Sequence, residues 1–208
     1  MTDKGAIRTP VLVLTVDQRG SSGSPDAVPE LLATLRRVAP APLLAFERTA
    51  GDEVQGVLAD PEATVDVITA MLTEDRWSIG VGVDLVESPL PSSTRAARGA
   101  AFVAAREAVN RAKSGPHHLS VVGADGYRAE QVETVLWLLS AILRRRTARG
   151  WEVQRVLATG VSHAEAGRRL GISQPAVSQR AQAAGLLEEK RARKLAGQLL
   201  AAMVGGER

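Results

Sequence analysis

The chain of 208 residues reads as an α+β protein, with a mixed sheet and its helices in the first part and only helices in the second. Three observations predict this. Strand and helix patterns alternate as far as Val122, whereas no strand pattern survives beyond Glu130. Charge divides at the same place: residues 1–128 hold 13 Lys+Arg against 16 Asp+Glu, and residues 129–208 hold 13 against 7. The second part also carries two helical patterns joined at a glycine, each opened by a serine. The segments expected are therefore 9–127 and 128–208.

Each element has its own signal. The β-branched run Val11–Val16 is the first strand, and Asp17-Gln18-Arg19-Gly20-Ser21-Ser22-Gly23-Ser24-Pro25 is the loop that ends it. Asp26 reads as the N-cap of a helix whose apolar positions are Val28, Leu31, Leu32, Leu35 and Val38. Leu43–Phe46 and Val54–Leu58 are two short strands around a hairpin tip at Gly51-Asp52-Glu53, and Asp60-Pro61-Glu62 opens a second helix. In Trp77–Val83, apolar Ile79, Val81 and Val83 alternate with Ser78, Gly80 and Gly82, the pattern of a strand. A helix over residues 94–113 and a last strand at Leu119–Val122 complete the first part. This order favours a mixed sheet over a doubly wound parallel one. Residues 128–148 form one amphipathic helix that links the two parts, with Val132, Val135, Leu136, Leu139, Ile142 and Leu143 on one side.

Composition excludes several classes. The hydrophobic share of 45% and charged share of 24% suit a chain that buries a core, and aromatics at 3% leave that core to Leu, Val, Ile and Ala. Absence of cysteine excludes disulfides, thiolate metal sites and a cysteine nucleophile. No apolar run reaches the roughly 20 residues of a membrane span, so a cytoplasmic protein without a membrane partner is expected.

The sharpest motif lies in the basic part. Ser162 with Glu165 is a capping box that starts a helix, Gly171 ends it, and Ser173 caps the next helix with Pro175 in its first turn. Residues 161–180 resemble the bacterial helix-turn-helix, in which the second helix enters the major groove of DNA. The resemblance implies that Ser173, Gln174, Pro175, Ser178, Gln179 and Gln182 reach base edges, with Arg180 on a base or phosphate. Arg168 and Arg169, together with Arg144, Arg145, Arg146 and Arg149, are candidates for phosphate contacts. The stripe Leu186, Leu187, Leu195, Leu199, Leu200 and Met203 reads either as a helix packing back or as a dimer-forming helix.

The first part carries a second resemblance. Leu12 to Asp17 followed by Gly20 is similar to the first strand of class III nucleotide cyclases, and Phe46 to Glu53 is similar to their metal-binding hairpin and to the GGDEF tip. Thr49-Ala50-Gly51-Asp52-Glu53-Val54-Gln55-Gly56 resembles the SatD family more closely. The resemblance implies a ferredoxin-like, cyclase-like fold over about residues 10–123, followed by the helix-turn-helix domain. It also implies metal binding by Asp17 and Asp52, and a nucleotide with magnesium held by Asp17, Gly20, Ser21, Ser22, Asp52 and Arg106. Phe102 stands where such enzymes carry a catalytic asparagine, which argues against turnover. The same residues also read as a plain turn at Gly51-Asp52 and a strand-end cap at Asp17.

The expected function is that of a homodimeric, DNA-binding transcriptional regulator whose cyclase-like part pairs and senses a nucleotide. The alternatives are a nucleotide cyclase with an appended DNA-binding domain, and a DNA-binding protein whose first domain only dimerises.

Overall fold

The structure, a computed structural model, describes residues 10–205; residue 9 and residues 206–208, the outer ends of the two expected segments, lie outside it. Its elements in chain order are β1 (Val11–Gln18), α1 (Val28–Val38), β2 (Leu44–Arg48), β3 (Glu53–Leu58), α2 (Pro61–Glu74), β4 (Trp77–Asp84), α3 (Ala100–Ser114), β5 (Leu119–Gly123), α4 (Gly126–Arg145), α5 (Ala148–Leu157), α6 (His163–Leu170), α7 (Gln174–Ala183) and α8 (Leu186–Gly205). None of the described helices is long and apolar enough to cross a membrane.

The five strands form one mixed sheet in the order β2-β3-β1-β4-β5. All neighbouring pairs are antiparallel except β4 and β5, which run parallel because α3 carries the chain across between them. One face, through Leu12, Leu14, Val16, Ile79, Val81 and Leu119, packs against α1, α2, α4 and α8 in the main core. The opposite face receives α3, with Val13, Val57, Ala101 and Ala105 in a smaller core.

The glycines of β4 explain how α3 approaches. A Cβ at Gly80 would lie 2.2 Å from the backbone nitrogen of Val109, and one at Gly82 would lie 2.3 Å from the Ala101 carbonyl and the Ala105 nitrogen. Helix and strand therefore meet backbone to backbone, and α3 turns only alanines and Val109 inward at Ala101, Ala104, Ala105, Ala108 and Ala112. Small residues on both elements are one packing solution.

Both sheet edges are covered. On the β5 edge, Glu133 of α4 accepts hydrogen bonds from the Val121 amide at 2.8 Å and the Ser120 hydroxyl at 2.7 Å, and the Trp137 indole donates to the Leu119 carbonyl at 2.9 Å. On the β2 edge, the Thr94 hydroxyl donates to the Ala45 carbonyl at 2.5 Å and Arg95 donates to the Thr49 carbonyl at 2.8 Å. Strand addition has no free row of amides and carbonyls at these points.

Four local expectations change. Asp26 is not the N-cap of α1; Ala27 holds that position, while the Asp26 carboxylate accepts the Val28 amide at 3.0 Å and pairs with Arg48. The Arg48 hydrogen bond and that amide hold the Asp26 carboxyl below its ordinary range. The helix expected from residue 94 begins at Ala100, because Thr94–Ala96 forms a separate 3-10 turn on β2 and Gly99 at φ 135° redirects the chain. The helix expected over residues 128–148 ends at Arg145, since Arg146 is extended and a new helix starts at Ala148, and it does more than link the two parts: Val132, Leu136, Leu139 and Leu143 lie in the main core. The C-terminal stripe packs back, but on the sheet body, since Ala196, Leu200, Met203 and Val204 join that same core while Leu195 stays exposed.

Helices α5, α6 and α7 have a small core of their own at Val153, Ala166, Val177 and Ala181. This three-helix unit is inserted between α4 and α8. Its register on the body depends on Arg146, whose side chain is fully buried: Nε donates to the Ala184 carbonyl at 2.9 Å, Nη2 donates to Glu189 at 2.7 Å, and the guanidinium lies 4.4 Å over the Trp151 ring.

Gly82→Ala should destabilise the fold by about 3 kcal/mol or more, because the new methyl meets backbone that cannot move. Gly171→Ala, where φ is 65° but the space is open, should cost only about 1 kcal/mol. Urea unfolding of the two variants checks the contrast.

Candidate functional site

Two places collect the residues singled out from the sequence. The first is the hairpin of α6 and α7. The Ser162 hydroxyl accepts the Glu165 amide at 3.2 Å and the Ser173 hydroxyl accepts the Ala176 amide at 3.3 Å, so both serine N-caps form, but the Glu165 carboxylate turns to Arg168 and Arg169 and the expected capping box is one-sided. Gly171 adopts φ 65° and ψ 31°, the left-handed turn that lets α7 leave α6 sharply. A Cβ at Gly167 would stand 2.7 Å from the Ile172 carbonyl, so the close approach at that glycine is to the turn itself.

Helix α7 divides cleanly. Val177 and Ala181 point into the small core, while Gln174, Pro175, Ser178, Gln179 and Gln182 are exposed, as is Ser173 before them. The outward face of the first two turns is thus polar, uncharged and rich in side-chain amides. Ser178 Oγ lies 3.0 Å from His163 Nδ1, which ties the start of α6 to the middle of α7. Arg180 is half-buried, 3.7 Å from Glu152, and so faces α5 as much as solvent.

The basic residues separate into two groups. Arg146 is buried in the joint with Glu189, and Arg144 pairs with Asp75 at 2.9 Å; neither is free for a phosphate. Arg168 and Arg169 stay exposed but both hold Glu165, and their hydrogen bonds, Arg169's first, keep that carboxyl below its ordinary range. Arg149 and Arg155 stand exposed on α5. Arg155 was missed in the sequence, because a lone arginine in a helix carries no signal until the helix has a position.

The second place is the end of the sheet where β1 and β3 meet. Asp17 faces Glu53 across the strands, and not Asp52. Lys113 of α3 pairs with Asp17 at 2.8 Å, and Arg106 of α3 makes a two-pronged contact with Glu53, one prong at 2.7 Å. Glu53 is buried and also accepts the Thr49 hydroxyl at 2.6 Å, and beside it the Gln55 amide donates to Thr15 at 3.0 Å. Each acid therefore already has its counter-charge. Asp52 sits in the turn with Oδ2 buried and unpartnered, and Gly20, Ser21 and Ser22 form an exposed turn after β1. Phe102 lines an open groove with Arg98 and Arg106.

These residues do not fit the divalent-cation site that the cyclase resemblance implies. Asp17 and Glu53 are neutralised by Lys113 and Arg106, Asp52 is not the cross-strand neighbour of Asp17, and no cluster of three or more His, Asp or Glu suited to a metal occurs among the described residues. Glu53 and Lys113 are the members that sequence reasoning overlooked. The alternation of β3 places Glu53 on the face of Asp17, which was a usable signal; Lys113 could be found only through the packing of α3.

Models of known protein families, curated proteins and solved structures contain no match to this chain.

Arg106→Met should cost about 2–3 kcal/mol of stability by leaving the buried Glu53 without its cation, whereas Lys113→Met, at a half-exposed pair, should cost less than about 1 kcal/mol. Chemical denaturation of both variants distinguishes them.

Proposed function

We propose that the protein is a sequence-specific DNA-binding regulator, with α6 and α7 as a helix-turn-helix and α7 as the helix that enters the major groove. The observation that carries this reading is the outward face of α7: Gln174, Ser178 and Gln179 are exposed at the start of a helix whose opposite side is buried, and a hairpin that only packed would have no use for such a face. A glutamine amide presents a donor and an acceptor together, which matches the N7 and N6 positions of adenine, and a serine hydroxyl serves several bases. Pro175 in the first turn lets the chain enter the helix without an unpaired amide, and the Ser173 cap holds that turn in place.

Affinity would come from phosphates. Arg149 and Arg155 on α5, together with Arg168 and Arg169 after release from Glu165, supply the cations, and counterion release makes such binding steeply salt-dependent. The residue excess of 13 Lys+Arg over 7 Asp+Glu in positions 129–208 supports the same assignment.

The first part of the chain serves as a scaffold in this reading. The strand order β4-β1-β3-β2, reached through β1-α1-β2-β3-α2-β4, supports assigning it to the ferredoxin-like class that includes the cyclase palm, with β5 as an added strand. The internally paired charges of Asp17 and Glu53 favour a catalytically silent body over a cyclase.

Gln179→Ala should weaken binding to the selected operator by about 1–3 kcal/mol and leave binding to random DNA nearly unchanged. Fluorescence anisotropy on both DNAs checks this. Equal losses on the two would place Gln179 on the backbone, and no DNA binding by the wild type at low salt would overturn the reading itself.

A further inference from the structure

Exposed apolar surface in this protein is concentrated away from the proposed reading helix. Four of the seven large apolar side chains that stand exposed among the described residues, Tyr127, Leu138, Leu187 and Leu195, lie on α4 and α8. The two helices run antiparallel, since the Arg128 guanidinium donates to the Ala202 carbonyl at 2.7 Å at one end and Arg146 meets Glu189 at 2.7 Å at the other. Between them lies an outward groove of about 450 Å³, with Tyr127, Val135, Leu195 and Leu199 on its walls. Tyr127 and Leu138 are eleven residues apart, three turns of α4, so they share the side of the helix opposite its buried stripe.

We propose that this face of α4 and α8 is where a second copy of the chain docks, about a two-fold axis perpendicular to the seam, with Leu138 of each protomer entering the groove of the other. The dimension fits. Two helices of 20 residues side by side present a face about 30 Å long and 20 Å wide, a footprint of about 600 Å² that approaches the roughly 800 Å² per partner of a standard-size interface.

Charge is arranged to match. Glu130 borders the groove near the start of α4, while Lys194 stands exposed on the outer side of α8 next to Leu195, beyond the groove, and the two-fold rotation brings the acid of one copy towards the cation of the other. The usual alternative for a sheet protein, pairing through an edge strand, is obstructed at the Ala45 carbonyl of β2 by Thr94 and at β5 by Glu133 and Trp137. The proposal rests on the DNA-binding reading for its purpose only: one short helix reads few base pairs, and a two-fold copy supplies the second half-site.

Analytical ultracentrifugation of the full chain tests it. Wild type should sediment at twice the monomer mass at micromolar concentration. Leu138→Glu should raise the dimer dissociation constant by about 30-fold or more, and because Leu138 is exposed the melting temperature of the monomer should stay unchanged. Glu130→Lys and Lys194→Glu should each weaken the homodimer, and their mixture should form a heterodimer in which opposite charges meet again. That rescue would not follow from a merely structural role. A wild type that stays monomeric, or a dimer indifferent to Leu138→Glu and to the charge exchange, would overturn the proposal. Operator binding by a strictly monomeric wild type would overturn the docking face and leave the DNA reading intact. A dimer lost in Leu138→Glu, in a protein that binds no DNA, would support the docking face and overturn the DNA reading.

Discussion

One buried cation decides where the three-helix unit sits. A guanidinium removed from water carries a desolvation cost of several kcal/mol, which the protein offsets with one carboxylate, one carbonyl and one aromatic face. For Arg146 these partners come from three different elements: Glu189 from α8, Ala184 from the end of α7, and Trp151 from α5. The three converge on one buried guanidinium, whose Nη1 is left without a hydrogen-bond partner, so the contact ties the three elements together. Glu189 also accepts from Arg193, which pairs with Asp66 of α2, and the chain of charges thereby reaches the layer beneath the sheet. The outward polar face of α7 inherits its orientation from this joint, since Val177 and Ala181 fix the helix within the unit and Arg146 fixes the unit on the body.

The sheet body is organised by a second constraint of a different kind. Gly80 and Gly82 remove every side-chain atom from the part of β4 under α3, so the helix rests on the strand at backbone distance. That approach places the middle and the C-terminal end of α3 over the end of β1 and the start of β3, where Arg106 and Lys113 reach Glu53 and Asp17. Packing and electrostatics are thus one arrangement. Asp17, one of the two acids that the cyclase resemblance assigns to a cation, is counter-charged by Lys113, and its cross-strand neighbour Glu53 by Arg106.

The opposite face of the body explains why the second half of the chain is not a separate appendage. Helix α4 closes the open edge of β5 through Glu133 and Trp137 and contributes its apolar stripe to the main core. Helix α8 returns to the same layer after the three-helix unit, so α5, α6 and α7 are held at both ends. The unit is thus connected to the body at both ends, and the exposed seam of α4 and α8 lies on the outside of that anchor.

Much of this was readable from local chemistry. The caps at Ser162 and Ser173, the left-handed turn at Gly171 and the proline after Asp60 are set by backbone hydrogen bonding within four residues, and the sequence by itself determined them. The alternation around Gly80 and Gly82 likewise marked a strand, and period-two and period-3.6 patterns located nearly every other element. What only the tertiary structure decided were the pairings between residues far apart in the chain. Arg144, Arg145 and Arg146 are indistinguishable as a run of three, yet one side chain is buried, one pairs with Asp75 and one turns back to its own helix. The cyclase resemblance put Asp17 and Asp52 in a shared pocket, whereas the register places Glu53 opposite Asp17 and packing supplies Lys113. The physical reason is range: a cap or a turn is satisfied by neighbours in sequence, while the pairing of a charge depends on partners as far as 127 residues away, as Arg193 is from Asp66, whose identity no local pattern encodes.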